Sequence, residues 1–277
     1  MSRTRRPAVQ RYHDRVAPRY DDSYDDDFWK WHDELTWSYL KPFLPLDLRA
    51  PVIDLGCGTG KWAAKLAKSG YAVTGVDISA RMLDRARANV PDAVGAVVPQ
   101  FVQADLADLS DLPRDTFALA VAFGDPIGCT PSPAQAIKQI RRVLSERGVL
   151  VATFDNRFAG IDYYLQSGDV DAMRSFLRDG RTHWLTSDPE ERFAIATFTP
   201  EGVRRLLESN GFEVLDIVGK TVLPMRHHRH LLATSPQRRR WAAIERKLCR
   251  NPSAMGRASH IQVVGRARCG SDGPENG

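Results

Sequence analysis

The sequence predicts an α/β fold with a seven-stranded, mostly parallel sheet, helices on both faces, an N-terminal helical lid and an insert after the fifth strand. Between residues 51 and 155, short apolar segments alternate with amphipathic helical segments, a pattern typical of parallel strands joined by right-handed crossovers. The first apolar segment runs directly into the glycine-rich turn GCGTG. After a break over 156–198 the alternation returns, which adds the last two strands.

Seven segments have the length and composition of strands. The fourth, FALAVA, is apolar throughout, as expected of a strand that is covered on both faces. The predicted strands are 51–55, 71–76, 101–104, 117–122, 148–154, 212–218 and 260–266.

The helices between these strands carry start and stop signals. Ser79 is suited to cap a helix that Pro91 would end, and Gly70 would end the helix before it. Two later helices are predicted to begin at hydroxyl–proline pairs, Ser132-Pro133 and Thr199-Pro200.

We expect five parts along the chain: a helical lid over 1–48, a core that binds a ligand over 49–155, a substrate cap over 156–198, the rest of the core sheet over 199–268 and a disordered tail over 269–277. The break in the strand–helix alternation sets the bounds of the cap, which contains Arg157, Tyr163, Tyr164 and Trp184.

Composition excludes several classes of protein. The 277 residues are 43% hydrophobic and 26% charged, which is ordinary for a globular domain and unlike a disordered chain. No apolar run approaches the roughly 20 residues of a membrane span, and the start MSRTRRPAVQRYHDR has no apolar stretch of a signal peptide. The four cysteines contain no CxxC pair, which argues against a zinc module. We therefore expect a cytoplasmic protein without a membrane partner.

The glycine run VIDLGCGTG over 52–60 predicts a ligand site at a helix N-terminus, where backbone N–H groups are free. A nucleoside-triphosphate loop is excluded because Leu55 stands where its first glycine is needed and Trp62 follows Lys61. The dinucleotide pattern GxGxxG fits poorly, since its third glycine would be Lys61.

The remaining pattern, Asp54, Gly56, Gly58 and Gly60 at alternate positions, resembles motif I of the class I S-adenosylmethionine-dependent methyltransferases. The resemblance extends over roughly residues 50–155 and implies a Rossmann-like sheet, S-adenosyl-L-methionine as the cofactor and S-adenosyl-L-homocysteine as the product. Gly56 and Gly58 would then approach the cofactor, and Asp54 would order the loop and the methionine amino group.

Later strand ends continue the resemblance. It implies that Asp77, in VTGVDIS, accepts the ribose hydroxyls and that Asp105, in FVQADL, accepts from the adenine amino group. Ile78 and Leu106 match the side chains that enclose the adenine ring. These assignments agree with general chemistry, because a diol and an exocyclic amine need acceptors and a purine needs apolar faces.

Two further residues are predicted at the cofactor. Phe123 follows the fourth strand in FGDPIGC and would present its backbone there. Tyr20 lies in a segment that resembles the lid of the family and would contact cofactor or substrate, although the aromatic residues of that segment could equally pack beneath the sheet.

The chemistry is expected where the fourth and fifth strands end. Asp125, Asp155 and His183 are the candidate bases. Asp125-Pro126 matches only half of the motif found in methyltransferases that act on amide or exocyclic nitrogens, since Ile127 and Gly128 follow it.

A magnesium site is the alternative use of these residues. Asp125, Asp155 and Asn156 resemble the oxygen ligands of the Mg²⁺-dependent catechol type of methyltransferase. Gly128 stands where those enzymes carry a lysine, and an Asp-Asn pair also turns and caps a chain. The tract HHRH at 227–230 lacks metal-ligand spacing. We therefore predict no resident metal.

Opposite charges are concentrated near the two ends of the chain. An acidic run, DDSYDDDFW, occupies 21–29, whereas Glu245 is the only acidic residue of 226–250. Either both stretches are solvated surface, or they pack together within one chain or across a homodimer.

The sequence thus predicts a methyltransferase that moves a methyl group to an O, N or C nucleophile of a small molecule, a secondary metabolite in type. A nucleic-acid substrate is not expected, although the basic stretches leave an RNA methyltransferase as the second hypothesis. The third is a non-catalytic subunit that binds S-adenosylmethionine.

Overall fold

The computed structural model describes residues 6–90, 98–184 and 189–269, and it confirms the predicted seven-stranded sheet with helices on both faces. The strand order is β3-β2-β1-β4-β5-β9-β8. Its strands are β1 (Val52–Leu55), β2 (Val73–Asp77), β3 (Gln100–Gln103), β4 (Phe117–Ala122), β5 (Leu144–Asp155), β8 (Phe212–Lys220) and β9 (His260–Ala267), and β6 (Arg181–His183) pairs with β7 (Ala194–Ala196) in a separate hairpin.

The direction of the strands decides which residues meet. Strands β1 to β5 are parallel, whereas β9 runs antiparallel to both β5 and β8. The start of β9 therefore lies at the same edge of the sheet as the carboxyl ends of the parallel strands, and His260 is paired with Asp155. This edge is where ligands bind in open α/β sheets.

Helices surround the sheet and begin at the predicted caps. The hydroxyls of Ser79, Ser132 and Thr199 accept backbone N–H groups three residues ahead. The helices are α1 (Ala8–Val16), α2 (Asp27–Leu40), α3 (Lys61–Lys68), α4 (Ala80–Asn89), α5 (Pro133–Val143), α6 (Ile161–Ser167), α7 (Val170–Asp179), α8 (Pro200–Glu208), α9 (Ser235–Leu248) and α10 (Pro252–Met255). Within the described ranges, none of them is long and apolar enough to cross a membrane.

The N-terminal lid segment and the basic C-terminal stretch pack together, which is one of the two alternatives that the sequence left open. Trp31 and Leu35 of α2 are fully buried beside Leu232. Around this apolar cluster, Arg229 pairs with Asp26 at 2.9 Å and Arg238 with Glu34 at 3.0 Å. These contacts lie within one chain. Exposed ion pairs contribute little, so the buried apolar side chains hold the two segments together.

Some predicted boundaries differ from the structure. Strand β5 begins at Leu144, four residues before its predicted start, because Leu144 pairs with Phe117 and a bulge follows between Phe117 and Leu119. The insert folds as α6, α7 and the β6–β7 hairpin. The predicted helix stop at Pro91 and the tail from residue 270 onward lie outside the described residues.

Candidate functional site

The glycine loop joins β1 to α3 in a conformation that requires glycine. Gly56, Gly58 and Gly60 all have positive φ, at 68°, 53° and 85°. A Cβ on Gly56 would lie 2.5 Å from the Cβ of Pro126, which is closer than real side chains approach. The loop therefore packs directly against the turn after β4 and delivers backbone N–H groups to the start of α3.

A cavity that opens to solvent lies above this loop. We call it the glycine-loop cavity. All but one of the residues predicted to bind the cofactor line it: Tyr20, Gly56, Gly58, Asp77, Ile78, Asp105, Leu106 and Phe123. Ala8, Val9 and His13 of α1 also line it, so the N-terminal helix lies over the cavity where the sequence predicted a lid.

Asp54 is the exception. It is 1% exposed and does not line the cavity. Burial raises its pKa to about 7, although the hydrogen bond from the Ala63 N–H lowers it. Its Oδ2 has no hydrogen-bond partner among the described residues. Asp54 thus supports the loop and the first turn of α3 from beneath.

Asp77 is held by backbone groups at the end of β2. One carboxylate oxygen accepts from Gly58 N at 2.9 Å and the other from Ser79 N at 2.8 Å. Burial raises the pKa of this carboxyl, while the Ser79 and Gly58 hydrogen bonds and His13 oppose the shift. Each oxygen keeps a lone pair that can accept from a ligand in the cavity.

A second cavity lies between the insert and the edge of the sheet. We call it the cap cavity. Its lining includes four aromatic side chains of the insert, those of Tyr163, Tyr164, Phe176 and Trp184. Tyr164 stacks on the buried Phe176, with ring centroids 4.7 Å apart, and its hydroxyl lies 2.8 Å from the Thr182 hydroxyl. These contacts fix one wall of the cavity.

The β6–β7 hairpin separates the two cavities. Arg181 and Ala194 line the glycine-loop cavity, whereas Thr182 and Ile195 line the cap cavity. His183 also lines the cap cavity, although it is paired with Ala194, so both strands of the hairpin contribute residues to both cavities.

The buried Asp125 and the partly exposed Asp155 and His260 form a cluster of titratable side chains beside the two cavities. Nδ1 of His260 is 2.9 Å from Oδ2 of Asp125 and 4.0 Å from Oδ1 of Asp155. Burial raises the pKa of Asp125, but His260 and Lys220 outweigh burial and hold it at about 2. Burial, together with the Asp125 charge, raises the pKa of Asp155 to about 7. The pKa of the two carboxyls is therefore shifted in opposite directions, and Asp155 takes up a proton more readily than Asp125.

The predicted bases occupy different places in this arrangement. Asp155 and His183 line the cap cavity, and Asp125 is 7% exposed and lines neither cavity. Sequence reasoning missed His260, which lines the cap cavity. Only the antiparallel pairing of β9 with β5 brings it beside Asp155, and no local motif signals that pairing.

The three oxygen ligands suggested for magnesium do not come together. The Asn156 side-chain amide donates to the carbonyl of Ala258 at 2.8 Å and to those of Met255 and Gly256, and its oxygen accepts from Phe158 N. Asn156 is thus a turn-capping residue. Potential ligand atoms of Asp125, Asp155 and His260 lie within 4.8 Å of one another, a set that differs from the all-oxygen ligands that suit Mg²⁺.

Comparisons with known proteins agree with this geometry. Residues 52–148 match a family model described as a methyltransferase domain. A Geobacillus sp. (strain WCH70) protein described as a methyltransferase is 33% identical over 103 residues, which cover 36% of this chain and 40% of that protein. The tRNA 5-carboxymethoxyuridine methyltransferase of Escherichia coli (strain K12) is 25% identical over 222 residues, covering 78% of this chain and 79% of that protein.

Solved structures show the same fold. Magnesium protoporphyrin IX methyltransferase from Synechocystis PCC 6803, crystallised with S-adenosylhomocysteine, aligns with a TM-score of 0.60 at 17% identity over 94% of this chain and 98% of that one. The matched domain spans β1 to the middle of β5 and contains the glycine loop, Asp77 and Asp105. Residues 52–148 therefore match a methyltransferase domain, and the chain as a whole has the fold of this solved methyltransferase structure.

Proposed function

We propose that this chain transfers the methyl group of S-adenosylmethionine to a nucleophilic atom of a small molecule held in the cap cavity. The observation that carries the proposal is the pair of neighbouring cavities that are both lined by the β6–β7 hairpin. One has the residues of a nucleoside site, and the other is enclosed by the insert and lined with aromatic side chains.

In the glycine-loop cavity, the cofactor is bound through its polar and apolar parts separately. Asp77 accepts from the ribose hydroxyls, Asp105 accepts from the adenine amino group, and Ile78 and Leu106 enclose the ring. The cofactor supplies an electrophilic methyl group on a positively charged sulfur. Because that group is already reactive, the chain has chiefly to align the nucleophile with it, exclude water and remove a proton where one must leave.

The cap cavity suits a small aromatic or otherwise planar acceptor. Tyr163 and Trp184 offer faces for stacking, and Phe176, 2% exposed, supports Tyr164 from behind. Arg226, an exposed residue beside Trp29, lines the cavity and is suited to an anionic substituent. The lid closes against the insert through Tyr12, whose ring lies 5.8 Å from those of Trp184 and Phe193.

An RNA substrate is the second candidate. It is favoured by the 25% identity with the tRNA methyltransferase over 78% of this chain, and by the basic face of α9, where Arg239, Arg240, Arg246 and Lys247 are exposed. Against it, Arg229 and Arg238 of the same stretch pair with acidic residues of the lid segment, which lowers the charge available to phosphates.

The test uses the purified chain, S-adenosylmethionine labelled in its methyl group, and cell extract separated into small-molecule and macromolecular fractions. We expect label in an organic-extractable small molecule. Ribonuclease-sensitive label in the macromolecular fraction would support the RNA candidate instead. Tight binding of S-adenosylhomocysteine without a labelled product in any fraction would indicate a non-catalytic subunit.

A further inference from the structure

We propose that His260 is the catalytic base that takes the proton of the methyl acceptor, and that Asp125 is the residue that positions it. This inference rests on the proposed function and narrows it, because a dedicated base is needed only where the acceptor atom carries a proton. The acceptor would then be an alcohol, a phenol or an N–H group of a small molecule.

The hydrogen bond between His260 and Asp125 fixes the imidazole. Nδ1 lies 2.9 Å from Oδ2 of a carboxylate that is 7% exposed. The backbone of Asp125 has a positive φ of 63°, and the N–H groups of Gly124 and Asp125 both donate to the Thr153 hydroxyl. A non-glycine residue in this conformation is held by its surroundings, so the carboxylate stays directed at the ring.

This contact also determines which ring nitrogen is free. An ionised carboxylate only accepts, so Nδ1 must carry the proton and donate it to Asp125. The neutral ring then has its lone pair on Nε2, and His260 lines the cap cavity. The imidazole is thus hydrogen-bonded to a buried carboxylate through one nitrogen and lies at a proposed substrate cavity. A general base and its positioning residue have this arrangement.

Three charged or titratable side chains lie around His260 in addition to Asp125. Lys220 lies opposite it on β8, fully buried, and donates to the Thr36 hydroxyl at 3.0 Å. The ring of His32 on α2 lies 5.4 Å away, and burial followed by Lys220 lowers the pKa of His32 to about 3, so it stays neutral. Asp155 is on the same side of the ring as Asp125. Its carboxylate can stabilise an imidazolium.

The other candidate bases are placed less well. Asp125 is both buried and strongly acidic, and its Oδ2 is engaged by His260. His183 lines the cap cavity but is exposed, and within the described residues it forms no ion pair that would orient its ring. Asp155 lines the cap cavity and stands beside His260 as a second acceptor, without a described residue that directs it at the substrate.

The proposed step is balanced. The lone pair of the acceptor oxygen or nitrogen forms a bond to the methyl carbon as the carbon–sulfur bond breaks, and that bonding pair remains on sulfur as a neutral thioether. The acceptor proton moves to Nε2 of His260. It then leaves to solvent, and the ring returns to the neutral form with its proton on Nδ1.

The first test needs no acceptor. Histidine labelled with ¹⁵N reports which ring nitrogen carries the proton, and the H260Q spectrum assigns the signal. We expect the Nδ1–H tautomer in the native chain and a shift of the signal toward the Nε2–H tautomer in D125N, with S-adenosylhomocysteine affinity changed by less than about threefold in both variants. An Nε2–H tautomer in the native chain would overturn the proposal.

The second test measures turnover of the acceptor found by label transfer. We expect H260Q to lower kcat by about 100- to 10,000-fold, with the matched surface variant H230Q unchanged. Turnover of H260Q within about threefold of the native rate would refute the role of His260, and activity lost to a chelator and restored by Mn²⁺ would replace the base with a metal site. If the native chain does not bind S-adenosylhomocysteine, the proposed function is refuted, whereas the result on the tautomer of His260 remains valid.

Discussion

Replacing Asp77 by asparagine tests the cofactor assignment with little change in shape. The carboxylate accepts from Gly58 N and Ser79 N at 2.9 and 2.8 Å, and its remaining lone pairs face the glycine-loop cavity. An amide offers one oxygen and one NH₂ group, so it can satisfy only one of these backbone donors and presents a donor at the other. D77N therefore loses acceptors toward both the loop and the ribose.

The expected size follows from the type of contact. A hydrogen bond to a charged group contributes about 1.5–3 kcal/mol, which corresponds to a loss of affinity of about 10- to 150-fold. Folding should be less affected, because burial opposes the ionised form of Asp77 and the neutral amide has no charge to desolvate.

The assay is calorimetric titration of S-adenosylhomocysteine into the native chain, D77N and D108N. Asp108 is a matched control, since it is an exposed aspartate that also accepts a backbone N–H two residues ahead, from Ser110, but does not line the cavity. We expect D108N to bind like the native chain. Native-like affinity in D77N would refute the ribose assignment.

Three further outcomes are expected. G56A should abolish S-adenosylhomocysteine binding and lower Tm, because its Cβ would lie 2.5 Å from that of Pro126. The control G168A has the same φ of 68° with open space around it, so it should show only the cost of a left-handed alanine, about 1–2 kcal/mol. Equal binding by the two variants would contradict the close approach of Gly56 to Pro126. D54N should flatten the pH dependence of stability, because an acid whose pKa is raised on folding stabilises the chain at low pH and loses that contribution between about pH 4 and pH 7. In urea denaturation at pH 5 and pH 8, the free energy of unfolding should therefore fall by roughly 2–3 kcal/mol more in the native chain than in D54N. Parallel pH profiles of the two proteins would contradict the assignment. F176A should raise the KM for the acceptor with unchanged affinity for S-adenosylhomocysteine, because Phe176 supports Tyr164 in the cap cavity, and an unchanged KM would show that the acceptor lies elsewhere.

Much of the cofactor site could be read from the sequence because it is local. The strand, the glycine turn and the helix that follow one another over residues 52–68 are encoded by neighbouring residues, and Asp77 and Asp105 stand at predictable strand ends. The packing of the acidic lid segment on the basic C-terminal stretch was one of the two alternatives that their charges left open.

The acceptor side was harder to predict because it depends on long-range pairing. His260 meets Asp125 across 135 positions of the chain, and only the antiparallel direction of β9 places it there. Asn156 carries an amide oxygen of the kind that binds metal ions, but its amide nitrogen donates hydrogen bonds to the carbonyls around Ala258. Sequence spacing carries no information on such contacts.

A crystal structure of the chain with S-adenosylhomocysteine is the most direct test of whether the two cavities meet at His260. We predict that the adenosine lies against Asp77 and Asp105 and that the homocysteine sulfur faces the junction of Asp125, Asp155 and His260, with the cap cavity beyond it. A sulfur that points away from His260, toward open solvent or the α1 side of the cavity, would contradict the account.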